Sequence, residues 1–162
     1  MIEAVIFDLD GTLVQLPINY EELFREFGKI MKTDNVRPLT KTIPRLDEQT
    51  KKRVFAAWEK AEQKAFINLT VKHEGIATYR KFSDIPKALV TMQGMTVAKN
   101  VIDKLELSFN FVISRERSLN RLEQLRTAME KLGVSPQNAL LIGDTDEDSI
   151  AAKEAGCKFK RV

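Results

Sequence analysis

The chain has 162 residues with 26 Lys+Arg, 23 Asp+Glu and one cysteine, and carries a formal charge of +3. That length suits one hydrophobic core with at most a small appended subdomain. No apolar run approaches the ~18 residues that a membrane span needs, and the apolar start at Ala4 to Phe7 is too short for a signal sequence, so the expected location is the cytoplasm. A lone Cys157 excludes an internal disulfide, and any metal site is expected to be oxygen-rich rather than thiolate-rich. Residues 15 to 82 carry 14 Lys+Arg against 9 Asp+Glu, but the basic residues are spread along helical patterns without interleaved aromatics. They read as solvated helix faces rather than a nucleic-acid surface.

The first element in chain order is "AVIF" (4 to 7), a buried strand followed at once by "DLDGT". Residues 16 to 80 contain no convincing strand and form a small all-helical insertion. Tyr20, Leu23, Phe24, Phe27, Ile30 and Met31 fall on one helical face behind an Asn19 cap paired with Glu22, and Val54, Phe55, Trp58, Ala61, Ala65, Phe66 and Leu69 make a longer stripe. "RPLTKTIP" is the turn-rich connector between them. Trp58 and the phenylalanines read as the insertion's own core.

Beyond the insertion, "KALVT" (87 to 91), "FNFVIS" (109 to 114) and "NALLIG" (138 to 143) are strands, with "CKFKRV" as a fifth closing the chain. Val97, Val101, Ile102 and Leu105 mark one intervening helix. Leu119, Leu122, Leu125, Met129 and Leu132 mark another, stopped by Gly133. Short apolar strands alternating with helices predict an α/β fold, a Rossmann-like three-layer core with a parallel sheet. Residues 1–15 and 81–162 form that core and 16–80 the cap.

In a parallel sheet, ligands collect beyond the carboxyl ends of the strands. Those ends carry Asp8 and Asp10 after the first strand, Thr91 after the second, and "GDTDED" after the fourth, with Asp144, Asp146, Glu147 and Asp148. Carboxylates converging from two strand ends repel one another unless a hard divalent cation, most simply Mg²⁺, is bound. A carboxylate beside such a cation can attack phosphorus, and a second can move the proton of the leaving oxygen. A turn at Gly11 would let Asp8 and Asp10 face one pocket. Thr91 offers a hydroxyl to a phosphate oxygen, and the backbone N–H groups near Met92, at the start of the next helix, add donors.

"DLDGT", "LVT" and "GDTDED", in this order and spacing, closely resemble the haloacid dehalogenase superfamily, and within it the small phosphatases of the phosphoglycolate-phosphatase type. "MEKLGVSPQNALLIGD" and "AAKEAGC" extend the likeness over nearly the whole core. The resemblance implies a Rossmann-like sheet with a helical cap after the first motif. It also implies Asp8 as nucleophile and Asp10 as general acid/base. Mg²⁺ would be held by Asp8, the main-chain carbonyl of Asp10 and Asp144, with Asp148 in support and Thr91 on the phosphate. An acid at position 10 favours phosphate chemistry over dehalogenation.

One departure stands out. Relatives place a lysine at the start of the helix before "LGV", a slot near Leu119 here, and "SRERSLNRLEQL" contains none. Arg121 is the preferred substitute, with Arg117 as the alternative. The expected function is hydrolysis of a small phosphorylated metabolite through an aspartyl-phosphate. A non-catalytic phosphate- or Mg²⁺-binding module and a related phosphomutase are the alternatives. His73 has no partner to make a ligand set, Cys157 is expected to be buried and inert, "KKR" (51 to 53) reads as a surface face, and nothing specific demands Ser114.

Overall fold

The computed structural model describes all 162 residues. Five strands form one parallel sheet in the order β5-β4-β1-β6-β7, with β1 at Ala4–Asp8, β4 at Lys87–Val90, β5 at Phe111–Ile113, β6 at Ala139–Gly143 and β7 at Lys158–Arg161. Two short strands, β2 (Val14–Gln15) and β3 (Thr70–Val71), pair antiparallel outside it. The helices are α1 (Tyr20–Met31), α2 (Leu39–Thr42), α3 (Glu48–Phe66), α4 (His73–Lys81), α5 (Met95–Lys104), α6 (Arg121–Leu132) and α7 (Asp146–Ala155). None is long and apolar enough to cross a membrane.

Alternation along β1 sets the layers. Val5 and Phe7 point to one face, where Val97, Ala98 and Val101 of α5 and Ile76 of α4 cover them. Ile6 points to the other, against Leu125, Ala128 and Met129 of α6 and Ala151 and Ala152 of α7. All five β1 residues are buried, as expected of a central parallel strand covered on both sides. Gly133 ends α6 with φ +65, the left-handed cap its position implies.

The regular elements between β2 and β3 are all helical, and α1 packs against α3 around Leu23, Phe27, Val54 and Trp58. Val36 and Ile43 of the connector join that cluster, and so does Leu119, which approaches from the core just before α6. Asn19 caps α1 by accepting the Glu22 N–H at 3.1 Å. The far end of the α3 stripe behaves differently. Ala65, Phe66 and Leu69 join the cluster under the main sheet, as do Ile76 and Tyr79 of α4. Residues 14–15 and 70–71 are extended and paired, where the sequence pattern gave no strand. Two residues are too few to display an alternation.

Candidate active site

The carboxyl ends of β1, β4 and β6 lie side by side because these three strands are neighbours in register: Asp8 pairs with Val90, and Phe7 with Ile142. Thr91 and Asp144 therefore follow directly at the same sheet edge as Asp8. Carboxylate oxygens of Asp8, Asp144 and Asp148 lie within 4.8 Å of one another. An all-oxygen trio of this size fits a hard divalent cation.

The turn after β1 is tight. The N–H groups of Thr12, Leu13 and Val14 all donate to the Leu9 carbonyl, and Gly11 adopts φ +85. A side chain at residue 11 would be strained by that φ and would overlap the Asp144 carboxylate, so glycine is required for the two acidic loops to touch. Thr12 donates its hydroxyl to Asp144 at 3.2 Å, tying the loops together. The Asp10 carboxylate lies outside the trio: it accepts the Leu16 N–H at 2.8 Å and faces the Gln93 amide at 3.5 Å. Asp8 and Asp10 thus face different partners.

Arg121, the first residue of α6, reaches the trio. Its Nη2 lies 2.9 Å from Asp8 Oδ1 and its Nε 3.0 Å from Asp148 Oδ1. Gln124, one helical turn on, accepts from Arg121 Nη1 at 2.8 Å and donates to the main-chain carbonyls of Thr91 and Ser118 at 2.8 Å each. Nothing in the sequence pattern singled out Gln124; its one sequence signal is its position three residues after Arg121 on the same helical face, and in the structure it is fully buried. Arg117 is exposed and makes no side-chain hydrogen bond or ion pair.

Asp148 is fixed in a capping box at the start of α7, with Thr145 as the N-cap residue. Its carboxylate accepts from the N–H of Asp144 and of Thr145, and its own N–H donates to the Thr145 hydroxyl. Asp146 and Glu147 are exposed, and Asp146 pairs with Arg161 instead. Thr91 is buried and its hydroxyl accepts the Gln93 N–H at 3.0 Å. Met92 packs against the helical insertion. His73 is exposed; Cys157 is half-buried rather than fully enclosed, and burial pushes its thiol up.

The electrostatics follow from crowding acids in a shielded place. Burial pushes Asp8 up to about 7; Arg121 opposes this, while Asp148 and Asp144 add to it. Burial also raises Asp10 to about 6, against the Leu16 N–H that favours its ionised form. Tyr20, on α1 of the insertion, is raised to about 12, again chiefly by burial.

Known proteins resemble the chain over nearly its whole length. The haloacid dehalogenase-like hydrolase family model matches residues 5–162. The chain belongs to this family. Pyrophosphatase PpaX of Halalkalibacterium halodurans is 26% identical, with 97% of this chain and 81% of that protein covered. Phosphoglycolate phosphatase of Aquifex aeolicus is 28% identical, with coverage of 96% and 82%. A haloacid dehalogenase-like family hydrolase of Streptococcus pneumoniae, 21% identical, superposes with a TM-score of 0.68 over 98% of this chain and 83% of its own. The structural likeness covers the helical insertion as well as the sheet. Within the haloacid dehalogenase-like hydrolases, this chain has an arginine, Arg121, on the trio.

Proposed function

We propose that the protein is a Mg²⁺-dependent phosphatase that hydrolyses a small phosphorylated metabolite through a phosphoaspartate at Asp8. The observation that carries this reading is the meeting of Asp8, Asp144, Asp148 and Arg121 at the end of β1. Family membership and relatives named for phosphoglycolate and pyrophosphate hydrolysis point the same way.

Mg²⁺ would be held by Asp8, the main-chain carbonyl of Asp10 and Asp144, with Asp148 in support, and it would neutralise charge on the phosphoryl group. Asp8 attacks phosphorus through a carboxylate oxygen. As the bond to the leaving oxygen breaks, Asp10 supplies that oxygen with a proton. Asp10 then takes a proton from water, which attacks phosphorus, breaks the bond to Asp8 and frees phosphate. Arg121, the Thr91 hydroxyl and the Met92 N–H hold the non-bridging oxygens. Arg121 thereby serves in place of the family's lysine, with a planar, always-charged donor set suited to phosphate. The raised affinity of Asp10 for a proton suits a group that must carry one near neutral pH. The helical insertion, residues 16–80, would close over the site and select the substrate. Spread-out basic residues and the absence of an apolar span favour a freely diffusing substrate in the cytoplasm over nucleic acid or membrane.

Hydrolysis of p-nitrophenyl phosphate, phosphoglycolate and pyrophosphate with Mg²⁺, in wild type and Asp8→Asn, tests the reading. Turnover of at least one of the three in wild type and a loss of at least a thousandfold in Asp8→Asn are expected. Equal rates, or no turnover in either, would overturn it.

A further inference from the structure

Glu62 of α3 and Arg115 of the loop after β5 form an ion pair enclosed between the insertion and the core. Arg115 Nη1 lies 2.6 Å from Glu62 Oε2 and Nη2 2.8 Å from Oε1, and both side chains are at most 1% exposed. The guanidinium stacks 4.3 Å from the centre of the Trp58 ring and 5.3 Å from that of Phe55, both on α3. Glu62 also accepts the Gly94 N–H at 3.0 Å. Arg115 donates its own N–H to the Gln93 carbonyl at 3.2 Å and approaches the Met92 carbonyl at 3.5 Å. The pair therefore grips three successive residues of the loop that begins at Thr91. Buried ion pairs carry a desolvation cost, so this one calls for a role beyond holding the fold together.

Gly94 is part of the arrangement. A Cβ there would lie 2.8 Å from Arg115 Nη2 and 3.2 Å from Glu62 Oε1, although its φ of −75 suits any residue. The gripped loop leads directly to Asp10. Gln93 donates to Tyr20 Oη at 3.1 Å and faces Asp10 Oδ2 at 3.5 Å, while its buried Oε1 has no partner. Tyr20 belongs to the insertion and Gln93 to the core, so their meeting over Asp10 depends on how the two are registered.

We propose that Glu62 and Arg115 are positioning residues: their pair latches the helical insertion onto the loop at 91–95 and so aligns Gln93 and Tyr20 over Asp10. The effect on catalysis rests on the reading of Asp10 as proton carrier; the latch itself does not. An alkoxide leaving group needs that proton, whereas p-nitrophenolate leaves readily without it. Losing the latch should therefore harm alkyl phosphate hydrolysis more than p-nitrophenyl phosphate hydrolysis.

Two variants probe this. Glu62→Gln with Arg115→Met removes both charges without stranding either one, and Gly94→Ala keeps both charges but drives a methyl group into the pair. Trp58 is the chain's single tryptophan, so acrylamide quenching of its fluorescence reports opening of the seam. In variants shown folded by circular dichroism, the quenching constant should rise at least threefold. The ratio of kcat/KM for glycerol phosphate to that for p-nitrophenyl phosphate, measured with Mg²⁺, should fall at least tenfold. If the double variant does not fold, Gly94→Ala carries both measurements. Unchanged quenching would overturn the latch, and equal losses on both esters would overturn the alignment role. Wild type inactive on both esters would overturn the phosphatase reading and the alignment with it, while quenching would still decide the latch.

Discussion

Arg121 and Asp8 meet at 2.9 Å although 113 residues separate them, and the same guanidinium holds Asp148 at 3.0 Å. One cation thus spans two of the three acids that would hold a metal. If Arg121 binds the phosphoryl group, Arg121→Ala should lower kcat/KM by about a hundredfold, the scale of a lost charge-stabilising donor. Arg121→Lys should recover part of that loss, because it restores charge but not the two-pronged geometry. Steady-state kinetics on the variants checks both, with Arg117→Ala near wild type since that side chain is exposed.

Protonation of Asp8 should govern stability when divalent cations are stripped away. Its ordinary value of 3.8 is raised to about 7 in the folded protein. A raised carboxyl binds its proton more tightly when folded, so its contribution is complete below about pH 4 and is lost as pH rises through 7. The whole shift corresponds to about 4 kcal/mol, of which about 2–3 kcal/mol falls between pH 5 and pH 7. Thermal melts in EDTA at pH 5 and pH 8 should show a wild-type Tm drop that exceeds that of Asp8→Asn by roughly 5–10 °C.

Added Mg²⁺ should reverse that loss. Binding to the folded state alone stabilises by about 2.7 kcal/mol at a hundredfold excess over Kd. The Tm increase at pH 8 should exceed that at pH 5, because protons compete for the same oxygens. Asp144→Asn should abolish most of the increase, and EDTA should abolish hydrolysis in wild type.

Lys87 predicts a purely structural effect. Its buried ammonium donates to the carbonyls of Phe82, Ser83 and Ile85 at 2.7, 3.1 and 2.9 Å, just past the end of α4. It also lies 5.3 Å from the centre of the Tyr79 ring. Lys87→Met leaves those carbonyls short of a donor at a cost of about 1–3 kcal/mol. Calorimetry should show a Tm lowered by roughly 3–10 °C, with kcat/KM unchanged.

Much of this was legible in the sequence because it depends on local pattern. Strand ends at Asp8, Val90 and Gly143 follow from short apolar runs stopped by polar residues. A parallel sheet then puts the residues beyond them on one edge. The helix that Arg121 opens was legible from the Leu122, Leu125, Met129 and Leu132 spacing back from Gly133, but Leu119, read as part of that stripe, lies before its start and packs against the insertion. What was not legible depends on approach in three dimensions. Glu62 and Arg115 lie 53 residues apart on elements whose mutual placement no periodicity encodes. The separate destinations of the α3 stripe, Trp58 to the insertion and Ala65 to the sheet, likewise depend on how the helix crosses the core.

On the proposed mechanism, Asp8 carries the phosphoryl group during turnover. Wild-type protein should be mixed with Mg²⁺ and p-nitrophenyl phosphate, quenched in acid during turnover, digested, and analysed by mass spectrometry. One added phosphoryl group is expected on the peptide containing Asp8, absent in Asp8→Asn and lost on treatment with hydroxylamine. Turnover without any phosphopeptide, or a phosphoryl group on another residue, would contradict it.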